Sequence, residues 1–137
     1  MAQTTTGNLA NETAKFPYYI NQVPISNAGS DQTAKAGNIV TLNGGGSRDP
    51  DGDKLNYYWM QTAGKNVALS ANRISNPTFT APSVTTPTVL KFGLIVDDGK
   101  LSSHQSAVNV MVQPRKTSYF SHSHKVVHLL YFFAVNQ

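Results

Sequence analysis

Three aspartates stand at alternate positions in the segment RDPDGDK, at Asp49, Asp51 and Asp53. Carboxylate oxygens are the ligands that Ca²⁺ prefers, and this spacing can gather three of them around one ion. The segment is not a helix–loop–helix calcium loop, because the twelfth residue counted from Asp49 is Met60 rather than a glutamate. A Pro-Asp-Gly turn, in which aspartate side chains accept hydrogen bonds from nearby backbone N–H groups, explains the same residues. The residues alone leave both interpretations open.

A second group contains the residue types of a hydrolytic triad, and its members are Asp97, Asp98, Ser102, Ser103 and His104. They all lie within eight consecutive residues of one predicted hairpin. A triad brings side chains together from separate elements above a pocket, so this group is a poor candidate. Because the sequence offers no convincing acid–base pair elsewhere, we predict that the chain is not an enzyme.

The composition favours strands and turns over helices. Charged residues make up 13% of the 137 residues, about half of the roughly 25% that is typical of soluble proteins. Thr, Ser and Asn together supply 37 residues, whereas Glu12 is the only glutamate. Such usage suits strands and turns, and the length suits one domain. The chain has no cysteine, which excludes disulfides and zinc-thiolate sites.

The charge distribution argues against a nucleic-acid partner. The net charge is +4, yet residues 24–113 hold seven basic residues against six aspartates, a net charge of +1. No dense basic run is present, as a phosphate-tracking surface would require. The apolar stretch at 126–135 has ten residues, too short for the roughly 20 of a membrane-spanning helix. Residues 1–11 lack a basic segment followed by an apolar run, so we expect no signal peptide there.

Short alternating apolar runs, each closed by Gly, Pro, Asn or Asp, predict an all-β fold: an immunoglobulin-like β-sandwich of about seven antiparallel strands. The predicted strands cover 23–28 with 31–36, 38–43, 55–61, 67–69, 78–80, 90–96 and 108–112. The last two form a hairpin across the turn at 97–100. The predicted core residues are Leu42, Tyr57, Trp59, Phe79, Leu94 and Val110.

This pattern divides the chain into three parts. Residues 1–22 are predicted to be a flexible leader or linker, 23–113 the sandwich and 114–137 a tail of uncertain order. The tail carries no turn punctuation and no link to the preceding pattern. A surface helix, a self-associating strand and a non-native read-through all remain as interpretations of it.

The central strand presents two faces, because neighbouring residues of a strand point in opposite directions. Tyr57 and Trp59 point inward, so Tyr58 and Met60 are predicted on the exposed face. That pair can stack against a sugar or pack on another module. An ordinary solvated sheet face is the alternative.

Five segments in the right order resemble the PKD domain, the immunoglobulin-like module first named from polycystic kidney disease protein. They cover 27–33, 40–53, 55–59, 76–82 and 96–99, with the sequences NAGSDQT, VTLNGGGSRDPDGD, LNYYW, NPTFTAP and VDDG. The resemblance extends over roughly 23–113. Two departures are Asn43, where many members carry Asp, and Gly45, where Ser is frequent.

The resemblance implies a non-catalytic extracellular or cell-surface module that acts in adhesion, protein–protein interaction or spacing. The partners would be other surface proteins or domains. The alternative is an accessory domain of a secreted hydrolase that binds its substrate or a polysaccharide. Some members hold calcium where the first strand meets the acidic loops. By that likeness the expected calcium ligands are Asn21, Asp49, Asp51 and Asp98.

Overall fold

Six strands form the fold in a computed structural model that describes residues 19–116. The predicted leader up to residue 18 and the tail from residue 117 lie outside the described residues. The strands are β1 (Gln32–Lys35), β2 (Ile39–Thr41), β3 (Asn56–Ala63), β4 (Thr78–Thr80), β5 (Thr88–Asp97) and β6 (Ser106–Gln113). The predicted all-β sandwich is confirmed.

Two sheets make the sandwich, with strand orders β1-β6-β5-β3 and β2-β4. The predicted hairpin is β5–β6, which pairs antiparallel, with Leu94 opposite Ser106. β1 runs parallel to β6, so the expectation that all strands are antiparallel was wrong for this pair. The first strand is broken, as predicted. Its first part forms only an isolated bridge between Ile25 and Arg48, and its second part is β1.

The strand predicted at 67–69 does not form, because a side chain takes over its backbone hydrogen bonding. Gln61 Oε1 accepts the N–H of Val67 at 3.0 Å, and Gln61 Nε2 donates to the carbonyl of Lys65 at 2.7 Å. Residues 64–77 consequently form a loop, and its Asn72 carbonyl accepts the backbone N–H of Trp59 in β3 at 2.9 Å.

The core follows the predicted alternation along the three central strands. Trp59 is 1% exposed, and its indole Nε1 donates to the carbonyl of Ile74 at 3.1 Å. Phe79 of the small sheet and Phe92 of the large sheet join the two layers, with ring centroids 5.0 Å apart. Tyr57 is only half-buried, which corrects its prediction as a deep core residue, since it is the second residue of β3. Other fully buried side chains are Leu42, Leu90, Leu94, Val96, Val108, Val110 and Val112.

The chain enters and leaves the sandwich at opposite ends. At one end, residues 19–25 pass the loops that follow β2 and β5, where Asn21 bonds Asp98. At the other end, Arg115 Nε donates to the carbonyl of Ala36 at 3.0 Å, and its guanidinium also donates to Asn38 Oδ1 at 2.9 Å. Side-chain contacts with the domain therefore reach from Asn21 to Arg115. No helix long and apolar enough to cross a membrane occurs in the described part of the chain.

Candidate metal centre

Three carboxylates meet at the end of the sandwich where the chain enters. Asp49 and Asp53 lie in the loop between β2 and β3, and Asp98 lies in the turn between β5 and β6. One oxygen of each lies within 4.8 Å of the others. Asn21, from the segment before β1, donates its Nδ2 to Asp98 Oδ2 at 2.8 Å. Two loops and the leading segment thus converge on one point.

The loop carrying Asp49 is closed by Asp49 itself. Its Oδ1 accepts the N–H groups of Asp51 at 2.9 Å and Asp53 at 3.1 Å, and its carbonyl accepts the N–H of Gly52 at 3.0 Å. These bonds form the turn that the sequence allows, and Gly52 has the positive φ of 81° that such a turn requires. The turn uses only one oxygen of the carboxylate, so Asp49 Oδ2 remains for another partner.

Two buried oxygens in this cluster have no hydrogen-bond partner within residues 19–116. They are Asp49 Oδ2 and Asn21 Oδ1. A buried acceptor without a partner costs about 1–3 kcal/mol, so native proteins rarely leave one unfilled. Both atoms can only accept, and a cation satisfies such atoms where a protein donor does not.

The Asp98 carboxylate is held in its ionised form. Its Oδ1 accepts the N–H groups of Lys100 at 2.7 Å and Leu101 at 2.8 Å, and its Oδ2 accepts from Asn21. The bond from the Leu101 N–H, followed by that from Asn21, lowers the pKa of Asp98 to about 2. The side chain therefore presents a full negative charge throughout the neutral range.

This pKa predicts how stability depends on pH. The folded pKa of Asp98 lies below its unfolded value, so its contribution is present above about pH 4. That contribution is lost as the pH falls through about 2. We expect the urea concentration at the denaturation midpoint of the wild type to decrease as the pH is lowered through this range. The midpoint of Asp98→Asn should decrease less. Parallel curves for the two proteins would contradict this assignment.

Asp51, predicted as a ligand, holds the leading segment instead. Its Oδ2 accepts the backbone N–H of Gln22 at 2.7 Å, and its Oδ1 accepts Gln22 Nε2 at 3.2 Å. The structure groups Asp53, rather than Asp51, with Asp49 and Asp98. Asp53 belongs to the alternating aspartates of the sequence, but its position beside Asp98 results from the closed turn.

Tyr19 lies close to the same acidic end and is 59% exposed. Desolvation raises the pKa of the Tyr19 hydroxyl, and the negative charges of Asp51, Asp53, Asp49 and Asp98 raise it further. The hydroxyl therefore stays neutral while it faces a negative potential.

The triad-like group has a structural role. Ser103 Oγ accepts the N–H of Val96 at 3.0 Å and donates to the carbonyl of His104 at 2.8 Å. Asp97 Oδ1 accepts the N–H of Gly99 at 2.9 Å. The hydroxyl and the carboxylate thus hydrogen-bond to the backbone of the hairpin rather than to the His104 ring.

The predicted ligand face carries an arrangement that the sequence did not indicate. Tyr58 is 41% exposed and Met60 is half-buried, side by side on the outer face of the large sheet. The Arg73 guanidinium lies over the Tyr58 ring, 5.0 Å from its centroid. Met60 is opposite Gly93, and the Gln105 side chain lies over the position that a Cβ on Gly93 would take. A planar ligand stacking on the covered ring face must displace Arg73.

Comparisons with known proteins identify this architecture. The family model described as K319L-like, PKD domain matches residues 28–112. A curated relative, chitinase A of Pseudoalteromonas piscicida, is 34% identical over 94 residues, which is 69% of this chain and 11% of that protein. The solved PKD domain from KIAA 1837 protein is 28% identical, with a TM-score of 0.53 over 72% of this chain and 95% of that one.

A second solved structure is a nucleoside hydrolase-related hypothetical protein from Saccharophagus degradans that is associated with carbohydrate metabolism. It is 29% identical, with a TM-score of 0.57 over 68% of this chain and 26% of that one. This chain therefore spans about one tenth of the chitinase and a quarter of the Saccharophagus protein. The resemblance seen in the sequence is confirmed, and the chain belongs to the PKD domain family, in its K319L-like group.

Proposed function

We propose that the chain is a non-catalytic spacing module of an extracellular protein, and that calcium stiffens its leading end. The observation that carries the calcium site is the pair of buried oxygens without partners, Asn21 Oδ1 and Asp49 Oδ2, beside three converging carboxylates. The proposed ligand set is Asn21, Asp49, Asp53 and Asp98.

The dimensions of the cluster support a calcium ion. Calcium binds oxygens at about 2.3–2.6 Å, so two ligands across the ion lie up to about 5 Å apart. The three carboxylate oxygens lie within 4.8 Å of one another. Three negative charges this close repel each other, and a divalent cation between them removes that repulsion. Hard oxygen donors without nitrogen or sulfur favour calcium over zinc.

The position of the site supports a spacing role. Asn21 is the ligand that precedes the sandwich in the chain, whereas Asp49, Asp53 and Asp98 belong to its loops. An ion bound to all four ties the leading segment to the domain and so fixes the direction from which the chain arrives. The chain leaves at the opposite end, where Arg115 contacts Ala36. A module with separated, fixed ends sets the distance between its neighbours.

Thermal unfolding with and without calcium tests the site. A ligand that binds only the folded state, present at about 100 times its Kd, adds about 2.7 kcal/mol to the free energy of unfolding. We expect calorimetry in about 1 mM calcium, against EDTA, to show a shift of this size for a Kd of about 10 μM. Asp53→Asn and Asp98→Asn should reduce the shift.

Asp97→Asn is the matched control, because Asp97 adjoins Asp98 but lies outside the cluster. It should keep the calcium-dependent shift of the wild type. An unshifted wild type would remove the calcium site, and a full shift in both cluster variants would move it elsewhere.

Polysaccharide binding is the second candidate function, as an accessory domain of a secreted hydrolase. The relationship to chitinase A favours it, together with the exposed ring of Tyr58 beside Arg73. Stacking on an aromatic ring contributes about 0.5–1.5 kcal/mol, and its loss weakens binding about 2- to 12-fold.

Co-sedimentation with insoluble chitin tests this candidate. We expect Tyr58→Ala to weaken binding to chitin and Arg73→Ala to strengthen it, because the loss of Arg73 uncovers the ring. Tyr19→Ala removes another exposed tyrosine and serves as the control. Equal retention of all three variants would exclude the face around Tyr58 as the binding surface.

A further inference from the structure

We propose that Asn43 is a deamidation site whose reaction the fold suppresses, and that opening of the 64–77 loop releases it. Asn43 is the only one of the 12 asparagines in the chain that is followed by glycine. Glycine leaves the next backbone nitrogen unhindered, which is what the reaction requires.

The reaction is intramolecular and needs only water. The backbone nitrogen of Gly44 attacks Cγ of Asn43, the N–Cγ bond forms, and the Cγ–Nδ2 bond breaks as ammonia leaves. The nitrogen loses its proton in this step, and the product is a cyclic succinimide. Water then opens either carbonyl of the ring, which gives aspartate or isoaspartate at position 43.

The electrophile, Cγ of Asn43, belongs to an exposed side chain and is already polarised. Asn43 is exposed to solvent, and its Oδ1 accepts the N–H of Gly45 at 2.9 Å. This bond folds the side-chain amide back over the chain that follows it, in an Asx turn. Hydrogen bonding to Oδ1 also draws electrons from Cγ, so the side chain by itself favours attack.

The nucleophile, the backbone nitrogen of Gly44, is engaged in a hydrogen bond. The Gly44 N–H donates to the carbonyl of Ser75 at 2.8 Å, and Gly44 is buried. A Cβ on Gly44 would lie 2.9 Å from Leu94 Cδ2 and 3.1 Å from Trp59 Cζ2, so packing requires glycine here. The turn uses the side-chain oxygen of Asn43, and the core packing requires glycine at position 44. These two requirements place a labile Asn-Gly pair here, and the hydrogen bond to Ser75 protects it.

The protecting carbonyl belongs to the loop between β3 and β4, which lies outside the strands of both sheets. Ser75 lies in the 64–77 loop, which Trp59 holds through its backbone N–H to Asn72 O at 2.9 Å and its indole Nε1 to Ile74 O at 3.1 Å. Segments without strand pairing open at a lower free energy than the core. Opening of this loop frees the Gly44 nitrogen for attack.

The two products have different consequences for the fold. Aspartate keeps the side-chain acceptor for the Gly45 N–H and preserves the turn. Isoaspartate inserts a methylene into the backbone between Cα of residue 43 and the Gly44 nitrogen, which displaces the N–H that donates to Ser75. We therefore expect isoaspartate at position 43 to weaken the native hydrogen bond between Gly44 and Ser75.

Peptide mapping after incubation in mildly alkaline buffer tests the proposal, with folded protein compared with protein in urea. We expect the folded chain to deamidate at Asn43 at least about tenfold more slowly, the factor for an opening free energy of about 1.4 kcal/mol. Asn27 is the internal control, since its Oδ1 accepts the N–H of Gly29 in a similar turn but alanine follows it. Equal rates at Asn43 in the folded and unfolded chains would overturn the proposal.

Two variants test the route through the loop. Trp59→Phe keeps an aromatic ring but removes the hydrogen bond to Ile74, which is worth about 0.5–1.5 kcal/mol, so deamidation should accelerate about 2- to 12-fold. Val112→Ala weakens the core opposite Thr88 and removes neither hydrogen bond from Trp59 to the loop. It should leave the rate unchanged. Equal acceleration in both variants would show that global unfolding, rather than loop opening, exposes Gly44.

Discussion

Trp59→Ala lowers the free energy of unfolding by about 3–5 kcal/mol, the cost of removing a large aromatic side chain from a core. The indole is 1% exposed, lies at the centre of β3 and holds the 64–77 loop through Ile74. Its loss therefore creates a cavity and releases the loop together. For a domain of ordinary stability, about 5–15 kcal/mol, the change consumes a large share.

Urea denaturation followed by circular dichroism measures this loss. Trp59→Phe is the graded control, because it retains most of the apolar contact and loses mainly the hydrogen bond to Ile74. We expect a much smaller loss for phenylalanine, of about 1–2 kcal/mol. A loss below about 1 kcal/mol in the alanine variant would show that the core tolerates the cavity.

Gly64→Ala is expected to cost about 2–5 kcal/mol, from two separate causes. Gly64 has φ of 98°, a left-handed conformation that costs a residue with a Cβ about 1–2 kcal/mol. The added Cβ would also lie 2.6 Å from the carbonyl oxygen of Val89, which is backbone and cannot rotate away. Overpacking of this kind costs about 1–3 kcal/mol more.

Gly99→Ala separates these causes. Gly99 has a similar φ of 94°, but nothing lies within 4 Å of the Cβ position. Its loss in urea denaturation should therefore be the conformational cost alone, about 1–2 kcal/mol. Equal losses at the two positions would mean that the chain near Val89 moves aside at no cost.

The sequence predicted those parts of the fold that follow from local alternation. Tyr57 and Trp59 alternate with polar or exposed residues in β3, as the valines do in β6. A two-residue period places such side chains on one face of a strand. The turn around Gly99 separates two such runs, so the β5–β6 hairpin was also predictable. Both features depend only on residues close together in the chain.

Other features depend on distant contacts and could not be predicted. β1 pairs with β6 across most of the domain, and its four polar and small residues carry no sign of a parallel partner. Val67 lies in a short apolar run that is typical of a strand. Its backbone N–H instead donates to the Gln61 side chain, so it does not pair with a neighbouring strand.

The candidate site divides in the same way. The sequence indicated acidic ligands through the alternating aspartates, and resemblance pointed to Asn21. The structure places Asp53, rather than the predicted Asp51, in the cluster. This placement depends on where the turn closes and on Gln22, which hydrogen-bonds to the Asp51 carboxylate. Buried oxygens without partners are visible only in three dimensions.

The parallel pairing of β1 with β6 determines how the domain carries mechanical tension. The chain enters near the start of β1 and leaves after the end of β6, so pulling on the two ends draws these neighbouring strands in opposite directions along their lengths. Hydrogen bonds lie across that direction and are loaded together in shear, whereas strands peeled from one end lose their bonds one at a time. The four-residue register from Gln32 to Lys35 is therefore the part of the domain that bears this load.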